Sequence, residues 1–266
     1  MPASAGGKLQ NKGKQKMQTE QIELTKPQPD RTDPSGYLVC ERKEIYALLM
    51  FSAGMMGAYT YNLRGGVFCN AQTANVVLMS IALGRGNLQE GLYYLIPISA
   101  YCLGAFLSEA LPSPVKRLGF LRWDTYLIAF EMIVLFLVGL IPLSVPHHVV
   151  QVMINFIASM QYNTFRQMEG IPMATTFCTN HIRQVGIALA KAIRKRDKKA
   201  AKRGLVHVGM ILCFFLGGTI LTIACLYLAG KAIWIALIPT GIVLARLIYA
   251  DLVVEHDQLW QKPSGH

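Results

Sequence analysis

Two short polar stretches hold the residues best suited to chemistry. In "FCNAQTANVV", Asn70, Gln72, Thr73 and Asn75 fall within six residues; in "MATTFCTNHIR", Thr175, Thr176, Asn180, His181 and Arg183 fall within nine. Amides and hydroxyls at that density suit the hydrogen bonding of a small polar solute or an anion, and Arg183 adds a charge-assisted donor. Catalysis is a poorer fit. No phosphate-binding loop, dinucleotide fingerprint, nucleophile elbow or HExxH pair occurs. The expectation is a binding protein, not an enzyme, with no metal and no cofactor.

The two stretches correspond to each other. Asn75 aligns with Asn180, Thr73 with Cys178, Asn70 with Thr175 and Gly65 with Gly170, all at an offset of 105 residues. Further on, "YCLGAFL" (101–107) resembles "FFLGGTI" (214–220), pairing Gly104 with Gly217 at an offset of 113. The eight extra residues fall in a basic connection, where an insertion costs little. Two matches in the same order predict two four-segment halves, 44–146 and 147–254. Many transporter folds are built from such repeats, with the site near the bilayer midplane where the halves meet.

The elements that must position these residues are apolar. Of 266 residues 53% are hydrophobic and 15% charged, against about 25% charged in an average soluble domain. The apolar residues come in blocks long enough for a hydrocarbon core about 30 Å thick. Breakers such as Gly65-Gly66, Gly84-Arg85-Gly86, Pro112-Ser113-Pro114 and Gly170-Ile171-Pro172 separate eight segments: 44–62, 67–84, 91–111, 124–144, 148–165, 172–191, 206–229 and 231–250. The expected fold is an all-α polytopic transmembrane bundle of residues 41–254, in which 67–84 and 172–191 are short and polar, as discontinuous helices are. Residues 1–40 lack core-forming side chains and read as a disordered basic tail; residues 255–266 form a short second tail. Trp123 and Trp234 open segments and read as interfacial anchors. The six cysteines show no ligand or redox spacing and read as small buried hydrophobes.

Net charge is +11, and eight Lys/Arg lie between Lys191 and Arg203. A chain of membrane spans offers no reading head for nucleic acid. The positive-inside rule places this connection, and with it both termini, in the cytoplasm, where it would also attract anionic lipid headgroups. Eight full crossings, however, put Lys116, Arg117 and Arg122 on the opposite side. Either that connection is tolerated or a motif segment does not cross fully. An odd number of crossings per half makes the repeats inverted; an even number makes them parallel.

The stretches "GAYTYNLRGGVFCNAQTANVVLMSIALGRG" and "SMQYNTFRQMEGIPMATTFCTNHI" resemble the YoaK-like family, mostly bacterial multi-span membrane proteins catalogued as a domain of unknown function. The resemblance covers nearly all of the chain after residue 40. Thr73-Ala74-Asn75 and Cys178-Thr179-Asn180 stand where that family has Thr-Gly-Asn, so both glycines are replaced. Met160-Gln161-Tyr162-Asn163 stands for its Gln/Asn stretch and Thr175-Thr176 for its paired threonines. It implies an integral protein of the bacterial cell membrane and no activity.

The residues expected to bind the solute are therefore Asn70, Thr73, Asn75, Gln161, Asn163, Thr176, Asn180 and Arg183. Thr176, Asn180 and Arg183 follow i, i+4, i+7 and would share a helix face; Asn70 and Thr73 would share another. Glu131, in the middle of "DTYLIAFEMIVLFL", is an ionisable group at depth and so functional by default: a protonated acid, a partner for Arg183 or His181, or a proton carrier. His181 is a second proton-coupling candidate. The reading is a small-solute or anion carrier; the alternative is a scaffold or lipid-interacting protein that transports nothing.

Overall fold

A computed structural model describes residues 36–112, 115, 119–261 and 263. The chain divides into two units between Tyr37 and Leu38, and the described helices all lie in the second. The tail expected over 1–40 lies outside the described residues up to 35, whereas Leu38, Val39 and Cys40 are buried in a core cluster. Lys116 and Arg117 also lie outside the described residues.

The described chain is all-α apart from a two-stranded hairpin. The helices are α1 (Lys43–Leu63), α2 (Gln72–Gly84), α3 (Leu88–Tyr93), α4 (Leu95–Ala110), α5 (Trp123–Leu140), α6 (His147–Thr164), α7 (Thr179–Lys195), α8 (Lys198–Leu228) and α9 (Leu237–Tyr249). Strands β1 (Gln167–Met168) and β2 (Ile171–Pro172) pair antiparallel between α6 and α7. Pro97 and Pro239 fall in the first turns of α4 and α9, where no intrahelical N–H bond is lost.

Three described runs are long and apolar enough to cross a membrane: Leu88–Ala110, Trp123–Leu140 and Lys198–Val254. The last is not one rod. At Ala229 the backbone takes φ +49°, and Val243 and Leu247 of α9 return to pack in the same cluster as Ile45 and Leu49 of α1. α5 shows the periodicity that such a helix needs. Ile133, Phe136, Leu137 and Leu140 are exposed, while Leu127, Ile128, Glu131, Leu135 and Val138 are buried. An exposed apolar face of this size belongs against lipid.

Contacts fix the sense of each helix. Tyr46, at the start of α1, meets Phe165 and Gln167 at the end of α6, and the Arg64 carbonyl after α1 accepts from Gln151 at the start of α6. α1 and α6 are therefore antiparallel. Asn62 of α1 bonds Thr222 of α8, with Phe51 beside Gly217, so these two run parallel. Ser159 bonds Tyr101 and Asn163 bonds Ser108, so α6 and α4 also run parallel. Asp251 after α9 bonds Thr125, and Trp234 before it stacks on Phe136, making α9 antiparallel to α5. Trp123 and Trp234 each spend the indole N–H on a neighbouring helix, on Thr164 and on the Phe136 carbonyl.

One end of the bundle thus gathers the starts of α1, α5 and α8 and the ends of α4, α6 and α9. A clasp closes it. Arg122 meets Glu255 at 2.7 Å and Asp251 at 3.7 Å, all three buried, and the Val39 N–H donates to Glu255 at 2.7 Å. The far end carries Arg64, buried with no carboxylate partner among the described residues. Its guanidinium donates to the Ile141 and Pro142 carbonyls and the Tyr59 hydroxyl, holding the chain just past the end of α5.

Candidate functional site

Both polar stretches begin outside helices, because the chain turns back before either helix starts. After α1, Gly65 and Gly66 take φ +81° and +69°, and after β1, Gly170 takes +75°. These left-handed values suit glycine. From Gly66 the backbone returns along α1 until the Asn70 amide donates to the Ala53 carbonyl at 3.2 Å, about halfway down that helix. α2 then starts at this depth and runs back to the far end, where Tyr93 after the next turn meets His148. The second stretch mirrors the sense. From Gly170 at the clasped end the chain climbs to Thr176, which lies beside Tyr101, the residue whose carbonyl Ser159 holds. α7 then descends, with Ala188 meeting Gly204 of the antiparallel α8.

This corrects two expected helix faces. Asn70 precedes α2, so it shares no helical face with Thr73, which is exposed. Thr176 precedes α7 and shares none with Asn180 and Arg183. Neither helix start has a side-chain cap: the N-cap positions are Ala71 and Cys178.

In the first return, Asn75 folds back on its own loop. Its Nδ2 donates to the Phe68 carbonyl at 2.9 Å and its Oδ1 accepts from the Phe68 N–H at 3.3 Å. Nδ2 also donates to Gln72 Oε1, and Gln72 Nε2 donates to Asn155 Oδ1 at 2.7 Å. Asn155 in turn donates to the Gln151 carbonyl. A connected amide network therefore ties the first return to α6. Gln151, Asn155 and Ser159, fully buried at i, i+4, i+8, were missed in the sequence reading. Their spacing on one face of an otherwise apolar helix was the available signal.

The second return is held differently. His181 Nε2 lies 2.7 Å from the Ala174 carbonyl, which can only accept, so Nε2 carries a proton. Neutral His181 then accepts at Nδ1, 3.1 Å from His207 Nδ1, which donates. His207 was not anticipated. The Thr175 hydroxyl is buried with no partner among the described residues, as is Gln151 Oε1.

Glu131 is fully buried on the inward face of α5. With its amide turned to satisfy both groups, Gln161 Nε2 donates to the two Glu131 oxygens at 3.2 and 3.3 Å. Arg183 is not its partner: that side chain is exposed and donates to Asn180 Oδ1 at 3.0 Å. Asn75 and Asn180 share no hydrogen bond. Asn163 lies toward the clasped end with Ser108, Glu109 and Arg166. The expected residues thus split between a central group (Asn70, Asn75, Glu131, Gln161, Thr176) and outlying ones (Thr73, Asn163, Asn180, Arg183).

A family model described as protein of unknown function (DUF1275) matches residues 45–246. The chain belongs to this family. The match takes in both returns, the whole of α2 to α8 and most of α1 and α9. No curated protein and no solved structure matches the chain. The function of the family is unknown, and the three runs long and apolar enough to cross a membrane point to a membrane protein.

Proposed function

We propose that this protein carries a small polar solute or anion through a membrane, by a site formed where the two returns meet the bundle centre. The carrying observation is the pair of non-helical stretches, 65–71 and 173–178, that reach the interior from opposite ends. Irregular backbone at membrane depth is tolerated where it is buried in protein or lines a water-filled cavity. Helices that start at such depth are the usual binding elements of carriers. The unpartnered Thr175 hydroxyl and Gln151 carbonyl oxygen are groups that a solute would satisfy.

In this reading α1, α4, α5, α6, α8 and α9 cross, and 67–84 and 172–191 do not. Each half (44–146 and 147–254) then has three crossings, and the halves are inverted, as antiparallel α1 and α6 require. The close contacts support it: Gly217 against Phe51 and Gly104 against Phe156 repeat the 105- and 113-residue offsets. Six crossings also remove the charge conflict, since Arg122 shares its end with the connection between Lys191 and Arg203. That end is cytoplasmic, with both termini, and the membrane is the cell membrane. The YoaK-like pattern agrees with such a placement. Glu131 and His181 are the groups available to carry a coupled proton.

A scaffold that transports nothing is the second reading, favoured by the internal saturation of Gln72 and Asn75. Water access separates the two. Thr175→Cys and Ser159→Cys, in a background without native cysteines, should react with a small membrane-impermeant thiol reagent in proteoliposomes. Inert thiols in a folded protein would reject the carrier.

A further inference from the structure

We propose that the cleft between α7 and α8 binds a phosphate-bearing anion. The cleft has a volume of about 270 Å³, and its polar lining is Gln184, Lys191, Asp197, Lys199, Arg203 and His207. Three cations thus face one carboxylate. That carboxylate is already engaged: Asp197 Oδ1 accepts the Lys199 and Ala200 N–H groups at 2.9 and 3.0 Å, as the N-cap of α8. Lys191 and Lys199 also act on its charge, and the cleft keeps an excess of two positive charges for a ligand. Arg203 supplies a planar fork suited to two phosphate oxygens, and Lys191 and Lys199 supply point charges on either side of Asp197.

The position in the fold adds to the chemistry. Ile171, Pro172 and Ile187 form an apolar wall of the same cleft. Just past Arg203, α8 turns from basic to apolar, with Leu205 exposed, and α7 exposes Ile182, Leu189 and Ile193 along one stripe. Cations at that boundary lie at headgroup depth. His207, 3% exposed, lines the cleft and spends Nδ1 on His181. Occupancy of the cleft therefore reaches the second return through the His181–Ala174 bond. The proposal does not depend on transport. A lipid headgroup and free phosphate share the recognised group, and the test distinguishes them.

Full-length protein is compared with Lys191→Gln/Arg203→Gln, which empties the cleft of two charges, and with Arg194→Gln/Lys198→Gln, which removes two from the same connection outside it. The lipid arm measures phosphatidylglycerol retained after passage through phosphatidylcholine nanodiscs, by native mass spectrometry. The free-anion arm measures the shift in unfolding temperature with inorganic phosphate in neutral detergent. Wild type and the outside variant should retain several-fold more ligand than the cleft variant in at least one arm. A response in the lipid arm alone marks a headgroup site, and a response to inorganic phosphate marks a soluble-anion site. Equal losses in both variants, or no response of wild type in either arm, would overturn the proposal. Should the cleft variant fail to fold, Lys199→Gln against Lys202→Gln makes the same comparison.

Discussion

Gly217 of α8 lies so close to Phe51 of α1 that a Cβ on it would fall 2.0 Å from the Phe51 carbonyl oxygen. Gly104 stands in the same relation to the Phe156 carbonyl of α6, at 2.4 Å. Backbones approach this closely only where a residue has no side chain, the means by which helices pack in lipid.

Alanine at these positions should therefore destabilise the bundle. Gly217→Ala and Gly104→Ala are expected to cost about 1–3 kcal/mol each by forced separation of the helices. Gly209→Ala, with open space around it, should be neutral or slightly stabilising. Thermal unfolding in detergent checks all three.

The Glu131 contact leads to a second outcome. Glu131→Gln keeps a group that Gln161 can bond and should unfold near the wild-type temperature. Glu131→Leu leaves the Gln161 amide buried and unpaired, at about 1–3 kcal/mol. A loss of about 3–5 kcal/mol in Glu131→Gln would instead indicate a buried ion pair and contradict the observed geometry.

Sidedness is tested by single cysteines in a cysteine-free background. Gly119→Cys and Lys202→Cys should label from one face of the membrane, and Gly66→Cys and Lys231→Cys from the other. Eight full crossings would put Gly119 and Lys202 on opposite faces, so a split between those two sites rejects the six-crossing reading.

The α8 cap has a defined pH dependence. The Ala200 N–H, with the Lys199 N–H and the Lys191 and Lys199 ammonium groups, holds the Asp197 carboxyl below its usual range. A lowered folded value means that the cap is fully present above the ordinary carboxylate range and is lost as pH falls through the depressed value. Amide exchange at Lys199 and Ala200 should quicken over that fall. In Asp197→Ala it should be fast throughout.

Much of the architecture was legible because lipid imposes simple demands. Apolar runs such as 128–140, interrupted there by Glu131 alone, announce α5, and Gly65 and Gly170 announce the reversals, since left-handed backbone favours glycine. The depth of the returns was harder to read. α2 and α7 start after Ala71 and Cys178, which offer no capping oxygen, so nothing in the sequence separates Asn70 or Thr176 from the helices that follow. Asp197, a capping residue, did not stand out either, because the basic run around it reads as a connection. The partners of buried groups were also hidden. Arg183 was the nearest cation by composition, but only the α5–α6 contact brings Gln161 to Glu131. The stripe of Gln151, Asn155 and Ser159 was visible in principle at its spacing of four.

The clasp at the Arg122 end has a consequence for biosynthesis. Its carboxylates, Asp251 and Glu255, follow α9 and are made well after Arg122, which stands at the start of α5. Until they arrive, the Arg122 guanidinium has Asp124 near it but neither of the two carboxylates that meet it in the clasp. A chain cut before Glu255 would lack the Arg122–Glu255 pair and the acceptor of the Val39 N–H. The clasp thus couples closure of this end of the bundle to synthesis through Glu255.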